Sequence, residues 1–296
     1  MIRLSSALEK FLVANEITPL NSVIILFPNI QHIERVFDLL SPYSKITDVI
    51  DNQLSWATGE AELYIVRQYF MLCQMCDRVI FNSVENQNFF NASGLVRSHS
   101  KDTLVVPNWY QVPDFIEEPV FSADKKDPER NSFNIIYSGN MNDRIDWALI
   151  EDIVQLDDRI RLHLVGEARQ VSAALRKMLE NPRVVYYGPL TEAQTLEKLM
   201  HADIAIIPHV TDSVSRFMNP LKVQMYNAIG LFTISMNVPG LEEAPHLIIA
   251  QNRDQFLTAV TDSMGSINLN RREFQKGIPR NARRYIAEIE DLRNYP

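Results

Sequence analysis

Short runs of apolar and β-branched residues alternate along the chain with longer segments in which apolar residues recur every three or four positions. The short runs are typical of buried strands and the longer segments of amphipathic helices. The runs predict strands at 22–27, 45–50, 78–83, 103–108, 133–139, 159–166, 183–188, 203–208, 231–236 and 246–250. The longer segments predict helices at 30–40, 59–76, 84–93, 144–156, 168–180, 191–201, 220–229, 252–264 and 279–292. Strands separated by helices favour an α/β fold with parallel sheets.

Residues 111–132 interrupt this alternation, because they are rich in charge and proline and have no sustained apolar period. They indicate a linker at 116–132. The pattern predicts two Rossmann-like domains, a reduced N-terminal one at 1–115 and a second at 133–278, followed by a C-terminal helix at 279–296. Ligands of open α/β sheets bind beyond the carboxyl ends of the strands, and two such domains facing across a cleft place one ligand between them. Residues just after each strand are therefore the first candidates for function.

The composition narrows the possible partners. The 296 residues include 29 lysines and arginines against 37 aspartates and glutamates, which gives a net charge of −8. This charge repels a phosphate backbone and argues against nucleic acid as a partner. Only 9 residues are glycine, so a loop of repeated glycines is not the phosphate-binding device. No apolar run approaches the ~20 residues that a membrane-spanning helix needs.

Residues 1–17 interrupt their apolar positions with charges and predict an amphipathic helix rather than a signal peptide. We expect a cytoplasmic protein, and peripheral contact with the inner face of the cell membrane stays open as an alternative. Cys73 and Cys76 form a single CxxC inside an apolar run, which favours buried thiols over redox or metal chemistry. No acidic metal motif is evident in the sequence.

A polar loop and a well-marked helix start follow the predicted strand at 203–208. Asn219 is a strong N-cap, and Pro220 is favoured at the first helical position. The free N–H groups near Leu221 and Lys222 carry the positive end of the helix dipole, where a lysine is unfavourable unless an anion binds. Two loop residues add donors for the same anion, which favours a diphosphate over a single carboxylate: Ser215 and Arg216. The alternative is a surface lysine without a ligand.

The segment after the predicted strand at 133–139 holds a second group of candidates. Gly139 lets a ligand approach the backbone because it has no side chain, and Asn140 begins the connection to the next helix. Arg144 is placed to reach the same phosphates. The alternative for Arg144 is a salt bridge with a neighbouring aspartate, Asp143 or Asp146.

Two further positions follow predicted strands. The turn of Tyr187, Gly188 and Pro189 is a candidate for holding a nucleobase through its backbone groups, and an ordinary strand-to-helix turn is the alternative. His209 follows another strand and is a candidate contact for phosphate or sugar, with a loop histidine as the alternative.

A family motif runs through the helix start. Asn219-Pro220-Leu221-Lys222 is followed by Met225-Tyr226-Asn227-Ala228-Ile229-Gly230. Upstream, the chain reads YSGNMNDRIDW, and earlier still CDRVIFNSVENQNFF and LVVPNWYQVPDF. These segments resemble GT-B glycosyltransferases, especially bacterial cell-surface polysaccharide enzymes, whose donor domain carries roughly N-P-L-K, a few residues, then E-Y-L-A-x-G. The resemblance covers about residues 75–240.

The resemblance implies a GT-B fold and a nucleoside-diphosphate sugar as the donor substrate. It assigns the donor's diphosphate to Lys222 and the helix N-terminus with Arg144 assisting, places the base at the turn 187–189, and implies no bound metal. The sequence departs from the family at three points. Met225 stands where a glutamate usually contacts the ribose or the sugar, Trp109 replaces a usual glycine, and the half before about residue 115 is short.

A glycosyltransferase needs a base for the acceptor hydroxyl. Asp51 is our candidate, because it follows a predicted strand, although a turn or capping aspartate is the alternative; three weaker rivals are Asp48, His32 and Glu60. The expected function is metal-independent transfer of a sugar to a hydroxyl of a saccharide or lipid-linked saccharide, in cell-surface polysaccharide synthesis. The alternative is a catalytically inactive nucleotide-binding or partner subunit of the same fold.

Overall fold

The computed structural model describes residues 3–50, 52–96, 103–113, 131–141, 144–210, 217, 220–238, 241, 246–265 and 280–293. The strands are β1 Val23–Leu26, β2 Ser44–Val49, β3 Arg78–Phe81, β4 Thr103–Val105, β5 Phe133–Ser138, β6 Ile160–Val165, β7 Val184–Tyr186, β8 Ile204–Ile207, β9 Thr233–Met236 and β10 Leu247–Ala250. The helices are α1 Arg3–Ala14, α2 Ile33–Leu39, α3 Glu60–Met75, α4 Val84–Ala92, α5 Trp147–Gln155, α6 Ala173–Leu179, α7 Glu192–His201, α8 Leu221–Ala228, α9 Arg253–Gly265 and α10 Arg280–Arg293.

The described residues divide into two compact units, and the first holds those of 1–108 and 280–296 together with Phe217. Its sheet has the order β1-β2-β3-β4, and each neighbouring pair is parallel. The central strand β3 is buried along its whole length, as expected for a sheet covered by helices on either side. One face packs against α3 and α4 through Tyr69, Phe81 and Phe90. Leu26 of β1, which the strand register places on this same face, packs with α1 and α2.

The last helix, α10, also belongs to the first unit. Its buried residues Ala282, Tyr285 and Leu292 share one face at helical spacing. The Tyr285 hydroxyl donates to Asp48 of β2 at 3.0 Å. Arg78 of β3 is largely buried and donates to two acidic residues of the helix, Glu288 at 2.5 Å and Asp291 at 2.9 Å.

The second unit holds the described residues of 109–215 and 220–279. Its six strands are all parallel and follow the order β10-β9-β8-β5-β6-β7. Alternate residues of β5 enter two different cores: Ile135 and Tyr137 pack with α5 and α9, and Ile136 packs with α7 and α8. The chain leaves β5 toward β6 on one side and later returns to β8 on the other. The carboxyl ends of β5 and β8 therefore form the point where an open α/β sheet binds its ligand.

The predicted α/β fold class with two Rossmann-like parallel sheets is confirmed, and each predicted strand and helix has an observed counterpart. Several helices begin one to five residues later than predicted, among them α6 and α8. Helix α6 begins at Ala173 rather than near 168, because Ser172 caps it by accepting a hydrogen bond from the N–H of Leu175. Helix α8 begins at Leu221 with Pro220 in the N-cap position, one residue later than predicted. The extended ψ of 111° at Pro220 keeps it outside the helix.

The segment predicted as a linker lies outside the described residues except for 131 and 132. The domain boundaries at 115 and 133 stay predictions. Tyr110 and Val112 pack in the second unit's core.

Within the part of the chain that the structure describes, no helix combines the length and the apolar character needed to cross a membrane.

Candidate functional site

Two loops meet at the carboxyl ends of β5 and β8 and are joined through their backbones. Ile145 forms an antiparallel bridge with His209. The N–H of Val210 donates to the carbonyl of Arg144 at 2.8 Å, and the N–H of Asp146 donates to the carbonyl of Pro208 at 2.8 Å. Asp146 also caps α5 by accepting a hydrogen bond from Leu149 at 2.9 Å. Arg144 and His209 are thus held on neighbouring, mutually fixed segments.

Helix α8 is fixed to the same end of β5 by Tyr226. This side chain is fully buried, and its hydroxyl accepts a hydrogen bond from the N–H of Ser138 at 2.9 Å. Residues four positions apart lie on one face of a helix, so Lys222 points in the same direction as Tyr226, one turn nearer the N-terminus. The fixed helix therefore delivers the Lys222 ammonium group to the residues that follow β5.

The Lys222 ammonium group lies among neutral polar groups. Its Nζ atom donates to the Tyr137 hydroxyl at 3.0 Å and lies 3.3 Å from Nε2 of His209. It also lies 4.5 Å from the centroid of the Tyr137 ring, within cation–π range. A Cβ atom at Gly139 would lie 2.7 Å from Nζ, so the room that Gly139 leaves is filled by the lysine itself.

Sequence reasoning missed a second glycine of this site, Gly166 at the end of β6. A Cβ atom there would lie 1.9 Å from the carbonyl oxygen of Gly139, and the φ of Gly166 is +136°. The N–H of Gly139 donates to Val165, and that of Gly166 donates to Gly188. The ends of β5, β6 and β7 are therefore joined through glycine backbone. The sequence did contain a signal for Gly166, because the predicted strands at 133–139 and 159–166 both end in glycine.

The electrostatics of the site favour an anion. Burial, together with the charge of Arg144, lowers the pKa of Lys222 to about 7. Burial and the same two cations lower the pKa of His209 to about 2, so this imidazole is neutral. Burial raises the pKa of Tyr137, which keeps its hydroxyl protonated. Among the described residues, no carboxylate forms an ion pair with Lys222. A bound anion would supply the missing counter-charge.

The remaining predicted donor contacts are placed as follows. Leu221 is exposed at the first turn of α8, and Asn140 is exposed beside the site, where its carbonyl accepts from the Tyr137 hydroxyl at 3.3 Å. Met225 is half-buried and packs against the apolar core shared with α7. Four predicted residues lie outside the described part of the chain: Asp51, Ser215, Arg216 and Asn219.

The turn predicted to meet a nucleobase has its first side chain already engaged. The Tyr187 ring stacks on His163 with an interplanar angle of 11°, and its hydroxyl lies 3.0 Å from Nδ1 of that histidine. The side chain lines a cavity of about 280 Å³ beside α7 together with Lys198. Gly188 has a φ of +70° and Pro189 is exposed. The contact of this turn's backbone with a nucleobase stays a prediction.

The two cysteines, Cys73 and Cys76, have the low reactivity of protonated thiols. Burial raises the pKa of Cys73 and of Cys76 to about 12, so both remain thiols at neutral pH. Within the described ranges, no group of three or more histidine, cysteine, aspartate or glutamate side chains is arranged to hold a metal ion.

Comparison with known proteins gives the site its context. Residues 132–266, somewhat less than half of the chain, match the family model described as "Glycosyl transferases group 1". The sequence has no significant match among curated proteins. This family match covers most of the second unit, including Gly139, Arg144, His209 and Lys222.

Solved structures resemble the whole chain. HepE of Anabaena, in complex with UDP and glucose, shares 14% identity over 97% of this chain and 78% of its own, with a TM-score of 0.62. Sucrose-phosphate synthase from Thermosynechococcus elongatus shares 15% identity over 98% of this chain and 76% of its own, with a TM-score of 0.61. The lipopolysaccharide outer core galactosyltransferase WaaB, in its apo form, shares 13% identity over 97% and 74%, with a TM-score of 0.54. The fold is that of GT-B glycosyltransferases, and the resemblance seen in the sequence is confirmed.

Proposed function

We propose that this protein is a glycosyltransferase that moves a sugar from a nucleoside-diphosphate donor to a hydroxyl of a saccharide or lipid-linked saccharide, in cell-surface polysaccharide synthesis. One observation carries the proposal: a buried ammonium group, Lys222, lies at the first turn of α8 beside Arg144 with no described carboxylate to pair with it. The family match supports glycosyl transfer as the reaction. The UDP and glucose bound to HepE support a UDP-sugar as the donor.

The proposed mechanism uses this charge on the leaving group. As the bond from the sugar's anomeric carbon to the diphosphate oxygen breaks, its electron pair stays on the diphosphate. Lys222, Arg144 and the N–H groups of Leu221 and its neighbours stabilise that charge, which is the task that a metal ion performs in other sites. We therefore propose metal-independent transfer, without a bound cofactor. Asp51 is the proposed base that takes the acceptor's hydroxyl proton as the new bond to the sugar forms.

The other donor contacts belong to the same proposal. The backbone of Tyr187, Gly188 and Pro189 meets the base. The loop residues Ser215, Arg216 and Asn219 assist at the diphosphate, Gly139 and Asn140 line the approach, and His209 contacts phosphate or sugar.

A second candidate function is that of an inactive nucleotide-binding or partner subunit. Met225 favours it, because a thioether packed against the core is at most a weak hydrogen-bond acceptor for a ribose or sugar hydroxyl.

Calorimetry with UDP, dTDP and GDP tests the proposal. We expect one nucleotide to bind, and Lys222→Met, which keeps the chain length and loses the charge, to weaken it about 10- to 100-fold as a lost charge-assisted contact. Lys177→Met is the matched control, since this exposed lysine of α6 pairs with Glu151 outside the site. Failure of the wild type to bind any of the three would refute both candidate functions.

Release of free nucleoside diphosphate separates the enzyme from the binding subunit. The enzyme should release it from the sugar nucleotide when a saccharide acceptor is added, with and without EDTA. Binding without acceptor-dependent release across a broad panel of saccharide and lipid-linked acceptors would favour the inactive subunit.

A further inference from the structure

The polar groups around Lys222 constrain one another's protons. Tyr137 Oη, His209 Nε2 and Lys222 Nζ form a triangle with sides of 3.0, 3.2 and 3.3 Å. An ammonium group has three donors and no acceptor. Both neighbours must therefore accept from it, and the Tyr137 hydroxyl sends its own proton to the carbonyl of Asn140, 3.3 Å away. This arrangement gives Tyr137 Oη and His209 Nε2 one donor each and leaves the third N–H of the ammonium group without an acceptor among the described residues.

The triangle fixes the tautomer of His209. A neutral imidazole carries one proton, and the nitrogen without it is the acceptor. Because Nε2 accepts from Lys222, the proton is on Nδ1. The other tautomer would place an N–H of His209 against an N–H of the ammonium group at 3.3 Å, which is repulsive.

The Nδ1 atom of His209 is buried and has no hydrogen-bond partner among the described residues, and the residue as a whole is 3% exposed. Burial of an unpaired donor is costly, so buried polar groups without a partner call for an explanation. A ligand oxygen would supply the missing acceptor. His209 directly contacts the ammonium group that we propose to bind the donor's phosphates. The contact points to the nucleotide sugar as the ligand that accepts from Nδ1.

We infer that His209 binds the nucleotide sugar by donating its Nδ1–H to a phosphate or sugar oxygen, and that Tyr137 is the positioning residue that holds Lys222 and His209 in their donating states. The inference rests on the proposed function and deepens it. Tyr137 does not touch the ligand. It fixes which protons the two binding residues present.

Replacement of His209 by each of its two amides tests the contact, because the amide of asparagine overlaps Nδ1 and that of glutamine overlaps Nε2. We expect His209→Gln to weaken binding about 5- to 10-fold and His209→Asn to weaken it less. A loss for both UDP and UDP-glucose places the contact at phosphate, and a loss for UDP-glucose alone places it at the sugar. Equal affinities for wild type and His209→Gln, or a greater loss in His209→Asn, would overturn the inference.

The pH profile of UDP affinity tests the role of Tyr137. In the described ranges, the titratable and charged groups around Lys222 are Tyr137 on β5, Arg144 before α5, His209 after β8 and Tyr226 on α8. Tyr137→Phe keeps the ring and removes one of two acceptors of the ammonium group. We expect the pH at which UDP affinity is lost to move downward in this variant, with the fold retained. An unshifted profile would show that the hydroxyl is merely structural.

Nitrogen NMR of histidine-labelled protein reads the tautomer directly, with His209→Gln identifying the signal. We expect a neutral Nδ1–H form at pH 6, where Lys222 is protonated and His209 is not, and a shift of Nδ1 when UDP is added. An Nε2–H form would refute the inference while leaving the proposed function intact. If UDP, dTDP and GDP all fail to bind, the proposed function fails, and the contact of His209 with a nucleotide sugar fails with it.

Discussion

At the scale of single residues, the site depends on two glycines, because a side chain at either position would have no room. Lys222 reaches the end of β5 because Gly139 has no side chain, and the carbonyl of Gly139 has room because Gly166 has none. The sequence predicted Lys222 as an anion contact, because a lysine in the first turn of a helix is unfavourable unless an anion binds. It predicted Arg144 from its position after the strand at 133–139. It did not predict Tyr137, whose hydroxyl meets a lysine 85 positions away. Such contacts depend on packing that periodicity does not report.

A glycine series tests this account of the backbone. Gly166→Ala should lower the free energy of unfolding by about 3 kcal/mol or more, because its Cβ collides with backbone and its φ is positive. Gly188→Ala has open space around it and only a strained φ, so it should cost about 1 kcal/mol. Gly265→Ala, in helix α9 with neither problem, should be neutral or stabilising by up to about 1 kcal/mol. Urea unfolding of the three variants gives the order, and equal effects would contradict it.

At the scale of elements, periodicity located the strands and helices because each buries one face or one stripe against a neighbour. Boundaries were less predictable. Helix α8 begins one residue later than the Asn-Pro signal indicated, and the 3₁₀ turn Gln53–Ser55 was not predicted. The periodicity of apolar residues also does not predict which elements contact one another. Nothing in the sequence of β2 identifies Asp48 as the partner of Tyr285 in α10.

The contact between β2 and α10 should depend on pH. Burial raises the pKa of Asp48 from 3.8 to about 6, despite the hydrogen bond from Tyr285. The folded state therefore holds this proton more tightly than the unfolded state. Stability from this group is fully present below about pH 4 and is lost as the pH rises through about 6.

Asp48→Asn isolates the effect, because asparagine keeps an acceptor for Tyr285 and cannot ionise. At pH 7.5 we expect the variant to be more stable than wild type by about 2 kcal/mol, and at pH 4 the difference should vanish. Urea unfolding at several pH values measures both. A difference that does not change with pH would mean that Asp48 does not hold its proton in the folded protein.

At the scale of the whole molecule, the two parallel sheets followed from the alternation of strands and helices. The position of the last helix did not. Its charged sequence predicted a helix at 279–296 but not its packing in the first unit, because Arg78 meets Glu288 over 210 positions. The second unit is thus enclosed, in sequence, between parts of the first.

Removal of α10 should destabilise the first unit selectively. Deletion of residues 280–296 removes the buried contacts of Tyr285 and Leu292 and the acidic partners of Arg78. Hydrogen exchange should rise in peptides of β1 to β3 and stay unchanged in peptides of β5, β6 and β8. Ile286→Ala, on the exposed face of α10, is the control and should alter neither set. Equal loss of protection in both units would show that α10 supports the whole chain.

The return of α10 to the first unit also orders events during synthesis. The second unit lies within residues 109–279, so all of its parts leave the ribosome before α10 does. The first sheet is translated earlier, but the acidic partners of its Arg78, Glu288 and Asp291, are translated after the second unit. The unit made first is therefore the one completed last, and until then a chaperone or a protease meets its uncovered surface.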